Sequence, residues 1–150
     1  MRCAFTLAMV VVLGSFAVAA DTPPAKAPEG AWKPKTIQFE GKEMADAEAK
    51  QKMTLVLKDG EYRMYWARDL AKDEYIRLFT GTVTFDPSKG TFEVAIKDGE
   101  KKGEKVHGIY ELKDGVLRLC YGPGDKTRPV AFASLAGSGY FLESWTAEKK

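Results

Sequence analysis

The sequence predicts an all-β domain: a single antiparallel up-and-down β-barrel of about eight strands, with one short helix. Three observations predict it. Turn signals in which an Asp stands close to a Gly recur along the chain, the runs between them have strand length and alternate apolar with polar residues, and one stretch alone has helical composition. A period of two, one wet face and short connections are the marks of antiparallel sheet. Closing that sheet into a barrel removes its exposed edges. A β-sandwich is the alternative architecture.

The chain opens with Met1-Arg2, an apolar run from Cys3 to Leu13, and small residues as far as Ala20. This pattern predicts a secretory signal peptide over residues 1–20, because its apolar core is shorter than the roughly 20 residues a membrane span needs. Its removal would take Cys3 and leave Cys120 as the one thiol, so no internal disulfide would form. Residues 21–29, with three prolines and no apolar period, read as a flexible tether. Residues 30–150 form the barrel domain. No later segment is apolar and long enough to enter a bilayer. The expected compartment is therefore periplasmic or extracellular.

Strands are predicted at Trp32–Phe39, Met53–Lys58, Glu61–Trp66, Tyr75–Phe85, Thr91–Lys97, Val106–Leu112, Val116–Tyr121, Val130–Ala133 and Tyr140–Thr146. The clearest is Thr91–Lys97, where Phe92, Val94 and Ile96 share a face opposite Thr91, Glu93 and Lys97. Met53, Leu55 and Leu57 form a second apolar face, Tyr62, Met64 and Trp66 a third, and Val106, Gly108, Tyr110 and Leu112 a fourth. Lys58-Asp59-Gly60, Asp86 to Gly90, Lys97-Asp98-Gly99 and Lys113-Asp114-Gly115 supply the turns, since Asp tolerates and Gly favours the left-handed backbone region. Glu43–Gln51, rich in Ala, Glu and Lys, is the predicted helix.

Composition bounds the function. The chain has 150 residues, enough for one domain, and Lys+Arg 23 against Asp+Glu 21 gives a net charge of +2. That balance excludes a protein that lives by electrostatic attraction to nucleic acid. Two cysteines exclude a disulfide-stapled scaffold.

Several segments stand in the order seen in one family: Gly30-Ala31-Trp32, Phe39-Glu40-Gly41-Lys42, Gly108-Ile109-Tyr110-Glu111-Leu112, Leu117-Arg118-Leu119-Cys120, Arg128-Pro129 and Gly137-Ser138-Gly139. The chain resembles the planctomycete uncharacterised domain family, small exported domains described as lipocalin-like. The resemblance spans residue 29 to the C-terminus. It implies a lipocalin-like β-barrel and no established activity. Gly30-Ala31-Trp32 is similar to the lipocalin Gly-x-Trp, whose Trp is covered by a late basic side chain. The last strand here, Phe141 to Ala147, has no such residue. Arg118 or Arg128 stands in for it, or apolar neighbours pack Trp32.

Candidate chemistry is sparse. His107 shares a face with the solvated Glu111, so pairing with Cys120 as a thiol nucleophile is disfavoured, and a packed, inert Cys120 is expected. One His and one Cys fall short of a structural zinc set, and the Asp-rich turns lack calcium-loop spacing. The Gly99–Lys105 stretch reads as a solvated hairpin tip. No cofactor is expected. The aromatics Trp32, Tyr62, Trp66, Phe92, Tyr110 and Tyr140 are candidates to line an interior, because an eight-stranded barrel either fills its core or holds one small ligand. Arg118 is an anchor for a ligand carboxylate if it points inward, and a paired surface residue if it points out. The expected function is a non-enzymatic extracytoplasmic binding module for a small apolar or amphipathic ligand. Its candidate site residues are Trp32, Tyr62, Trp66, Tyr110, Arg118 and Arg128. A structural or protein-interaction domain of the cell envelope, with a filled core, is the alternative.

Overall fold

The computed structural model describes residues 26–69, 74–124 and 126–149, with the side chains of residues 66–69 and 74–78 outside that description. The predicted signal peptide and the first part of the tether lie outside the described residues.

The strands follow the apolar alternation. In chain order they are β1 (Gly30–Phe39), β2 (Lys42–Glu43), β3 (Met53–Lys58), β4 (Glu61–Asp69), β5 (Glu74–Asp86), β6 (Thr91–Ile96), β7 (Lys105–Lys113), β8 (Val116–Gly122) and β9 (Phe141–Ala147). Each of β3 to β9 pairs antiparallel with its neighbour in sequence, and β1 pairs with both β3 and β9. The result is a closed eight-stranded up-and-down barrel of lipocalin-like form, with β2 as an extra strand on β1. Closure runs from Trp32 opposite Ala147 to Phe39 opposite Phe141, with a register shift between Pro34 and Thr36.

The turns obey local chemistry. Asp59 and Gly60 both have positive φ, 52° and 75°, and Asp114 and Gly115 repeat those values. Two successive left-handed residues make the tight hairpin turn that matches strand twist, and Asp-Gly is a favoured pair for it.

Helix α1 (Ala47–Lys52) is shorter than the predicted Glu43–Gln51. Asp46 stops it at the front by accepting the Ala49 N–H at 2.8 Å, an N-cap that fixes the first turn. Glu43 belongs to β2 instead, where its carboxylate accepts from Ile37 N and pairs with Lys50 Nζ at 3.0 Å.

The strand expected at Val130–Ala133 does not form. Both edges of β8 are taken, one by β7 and the other by β9, so the segment that follows it finds no free edge there. Residues 126–140 instead cross the outer wall. Ser134 Oγ accepts from Gly41 N and donates to Tyr140 O, and Cys120 Sγ donates to Ala133 O at 3.5 Å.

The core lies inside the barrel: Trp32, Leu55, Leu57, Tyr62, Met64, Val94, Tyr110, Leu117, Leu119 and Trp145 are all buried. Gly108 faces the same interior, and its missing side chain gives the Phe92 ring its place. A Cβ there would lie 2.3 Å from that ring.

Candidate functional site

The two ends of the barrel differ. One is closed by the tight β3–β4, β5–β6 and β7–β8 turns. The other opens where β1 ends, β9 begins, and the longer connections after β6 and β8 leave the sheet. At that open end lies a cleft of about 640 Å³ lined by Phe39, Phe79, Ile96, Val106, Tyr121 and Phe141, with Asp98, Glu100 and Lys101 on its rim. A second, much smaller void of about 20 Å³ lies deeper, among Tyr62, Phe92, Val94 and Leu119. It shares Phe79, Val106 and Tyr121 with the cleft.

The lining aromatics brace one another. Phe39 and Phe141 have ring centroids 4.5 Å apart, Phe141 and Tyr121 stack at 5.3 Å, and Tyr62 and Phe79 stack at 5.2 Å. The rim is held as well. Thr80 donates its N–H and its hydroxyl to the two carboxylate oxygens of Asp98, at 2.7 and 2.6 Å, which ties the connection after β6 to β5.

Beneath Tyr121 sits a buried acid, Glu143, with 3% exposure. Tyr121 donates its hydroxyl to Oε1 at 2.7 Å, and Trp145 donates its indole N–H to Oε2 at 2.9 Å. Burial pushes the Glu143 carboxyl above its ordinary value, while the two donors pull the other way. Burial pushes the Tyr121 and Tyr62 phenols well up, and the Glu143 charge adds to both.

The predicted site residues do not meet at one place. Tyr62 walls the deeper void. Trp32 and Tyr110 are buried, and their Nε1 and hydroxyl have no hydrogen-bond partner among the described residues. Arg118 lies outside the barrel against Glu111 and Phe132, and Arg128 is exposed, so neither takes the lipocalin role on the interior Trp32. Trp66 stands opposite Met53 on β4, and its side chain lies outside the described residues. Arg118 and Arg128 are not interior anchors. Leu117 and Leu119 fill the inner phase of β8, so Arg118 points outward, where it pairs with Glu111 at 3.1 Å and lies 4.5 Å over the Phe132 ring. Arg128 is exposed on the segment after β8, and its charge helps lower the Glu93 carboxyl, behind the larger effect of Lys105. Phe92 does reach the interior. Tyr140 precedes β9, with its hydroxyl 3.2 Å from Thr127 on the outer segment.

His107 and Cys120 do not pair with each other. His107 Nδ1 lies 3.1 Å from Glu93, and Cys120 is buried under Ala133, where desolvation raises its thiol and keeps it a poor nucleophile. Among the described residues no group of three His, Cys, Asp or Glu could hold a metal ion. Among them, too, no helix is long and apolar enough to cross a membrane.

Sequence reasoning missed Glu143, Phe39, Phe79 and Phe141. The signal for Glu143 was its phase: it shares parity on β9 with Phe141 and Trp145, both apolar and inward. No protein-family model matches this chain, and no curated protein is similar to it.

Proposed function

We propose that the protein is an extracytoplasmic, non-enzymatic binding module that takes a small apolar or amphipathic ligand into the open mouth of its barrel. The observation that carries this reading is the cleft of about 640 Å³, walled chiefly by aromatic and aliphatic side chains with charges confined to the rim. Small-molecule sites fall in this size range and have this composition. Half-exposed aromatics gathered in a concave mouth gain hydrophobic stabilisation when a ligand covers them. The leader-like segment at residues 1–20 and the resemblance to exported domains support the compartment.

Native mass spectrometry of the mature protein from its own host tests the reading. The expected result is a co-purifying small molecule that is lost when Phe39 and Phe141 are both replaced by Ser. An empty wild-type protein, together with affinity for an apolar fluorescent probe that does not change in the double variant, would overturn it.

The second reading, an interaction domain of the cell envelope, is favoured by a different observation. Val130 and Leu135 on the segment after β8 are exposed large apolar residues. A protein adduct that disappears with Leu135→Ser would support it.

A further inference from the structure

The chemistry around Glu143 narrows the ligand class, and the narrowing rests on the binding reading just given. Glu143 accepts at both oxygens. Its partners, the Tyr121 hydroxyl and the Trp145 indole, are donors, and an indole N–H can only donate. The pair therefore suits the carboxylate form. Among the described residues, no Lys, Arg or His forms an ion pair with Glu143. An interior charge without a counter-charge is costly, and a cation supplied from outside relieves that cost.

The path for such a cation runs from the mouth. Tyr121 walls both the cleft and the void beneath it, whereas Glu143 lines neither and lies one hydrogen bond behind the Tyr121 hydroxyl. Its one hydroxyl proton is given to Glu143, so its oxygen offers an incoming group only lone pairs. A donor is welcome there and an acceptor is not. The void of about 20 Å³ has room for one water-sized group, about the size of an ammonium head. Phe79, Tyr62 and Phe92 wall the void, and aromatic rings attract cations.

We propose that the ligand is an amphipathic amine, with its apolar body in the mouth and its protonated nitrogen directed down to Tyr121, next to the Glu143 charge that Tyr121 screens from the void. A fatty acid would set its anion against the same carboxylate. A fatty alcohol would satisfy Tyr121 and leave Glu143 without a counter-charge.

Calorimetric titration of the mature protein with decylammonium, decanol and decanoate at pH 7.5 tests this. Decylammonium is expected to bind at least tenfold more tightly than decanol, with decanoate weakest. Glu143→Gln should lower the amine affinity tenfold or more and leave decanol within about twofold. Tyr121→Phe, which keeps the ring and removes the contacting oxygen, should reduce the amine preference in the same direction and serves if the Gln variant does not fold. Decanoate binding as tightly as the amine, or an amine preference that survives both substitutions, would overturn the inference. Equal binding of all three would remove amine selectivity while leaving the mouth a binding site. Binding of none would remove both readings.

Discussion

The closed and open ends of the barrel are made from the same strands and the same kinds of residue, yet they do opposite things with them. At the closed end, Trp32, Leu57, Leu117 and Trp145 are buried almost completely, and the β3–β4 and β7–β8 turns use the shortest hairpin geometry available. At the open end, Phe39, Tyr121 and Phe141 are only half-buried, and the connections after β6 and β8 are long enough to leave a gap between them. Aromatic content alone does not make a core. The difference lies in connection length: a short turn brings the ends of two strands together over their own side chains, and a long one leaves the strand ends as walls.

The largest expected effect tests that contrast directly. Trp145→Ala removes a fully buried ring and should destabilise the protein by about 3–5 kcal/mol. Phe141→Ala removes a ring that water already reaches and should cost about 1 kcal/mol. Denaturant titration of both variants measures the difference. Equal losses would mean that the mouth is packed as tightly as the base.

Gly108→Ala sharpens the boundary between the two regions. The new methyl group would meet the Phe92 ring at 2.3 Å and the Cys120 carbonyl oxygen at 2.7 Å. Overpacking of this kind costs about 1–3 kcal/mol. Phe92 also walls the deeper void, so its displacement should weaken apolar-probe binding as well as lower stability. A closed-end change such as Leu117→Ala should lower stability and leave affinity in the folded fraction unchanged.

The pH dependence of stability separates the two regions in a third way. Glu143 faces Tyr121 on β8 and Tyr62 on β4, and burial holds its folded carboxyl above the ordinary carboxylate value. The folded state therefore holds that proton more tightly than the unfolded state does. The stability Glu143 contributes is present below about pH 4.5 and is lost as pH rises through its folded value. Glu143→Gln should remove that loss, so the melting-temperature difference between variant and wild type should move in the variant's favour with rising pH. Exposed acids whose values are lowered, such as Asp86 and Glu93, slope the opposite way and cancel in the comparison.

The legible part of this structure is the part written in neighbours. Alternation placed Phe92, Val94 and Ile96 inward, and the Lys-Asp-Gly repeats marked two of the tight turns. Closure between β1 and β9 joins residues more than a hundred positions apart, so barrel and sandwich could not be separated by periodicity. Val130–Ala133 has the look of a strand, but strand formation needs a free edge, and edges are a property of the assembled sheet. Glu143 was overlooked because a charge in a strand ordinarily marks the wet face. Its partners, Tyr121 and Trp145, include one from another strand, and only the fold brings that one within reach.

Arg118 gives the smallest effect, and it tests whether inside and outside are assigned correctly. Its guanidinium has two contacts, the Glu111 carboxylate at 3.1 Å and the Phe132 ring at 4.5 Å, and its side chain remains 39% exposed. Exposed ion pairs contribute about 0–1 kcal/mol, and an exposed cation–aromatic contact about 0.5–1 kcal/mol. Arg118→Ala should therefore lower stability by less than about 1 kcal/mol. A double-mutant cycle with Phe132→Ala should return a coupling of about half a kcal/mol, because the guanidinium lies over the ring at a partly exposed site. Ligand affinity should not change, since the barrel wall stands between Arg118 and the mouth. If Arg118→Ala instead abolished binding of an anionic ligand while stability held, the guanidinium would have to reach the interior. The inner phase of β8, set by Leu117, Leu119 and Tyr121, would then be wrong, and with it the route from the mouth to Glu143.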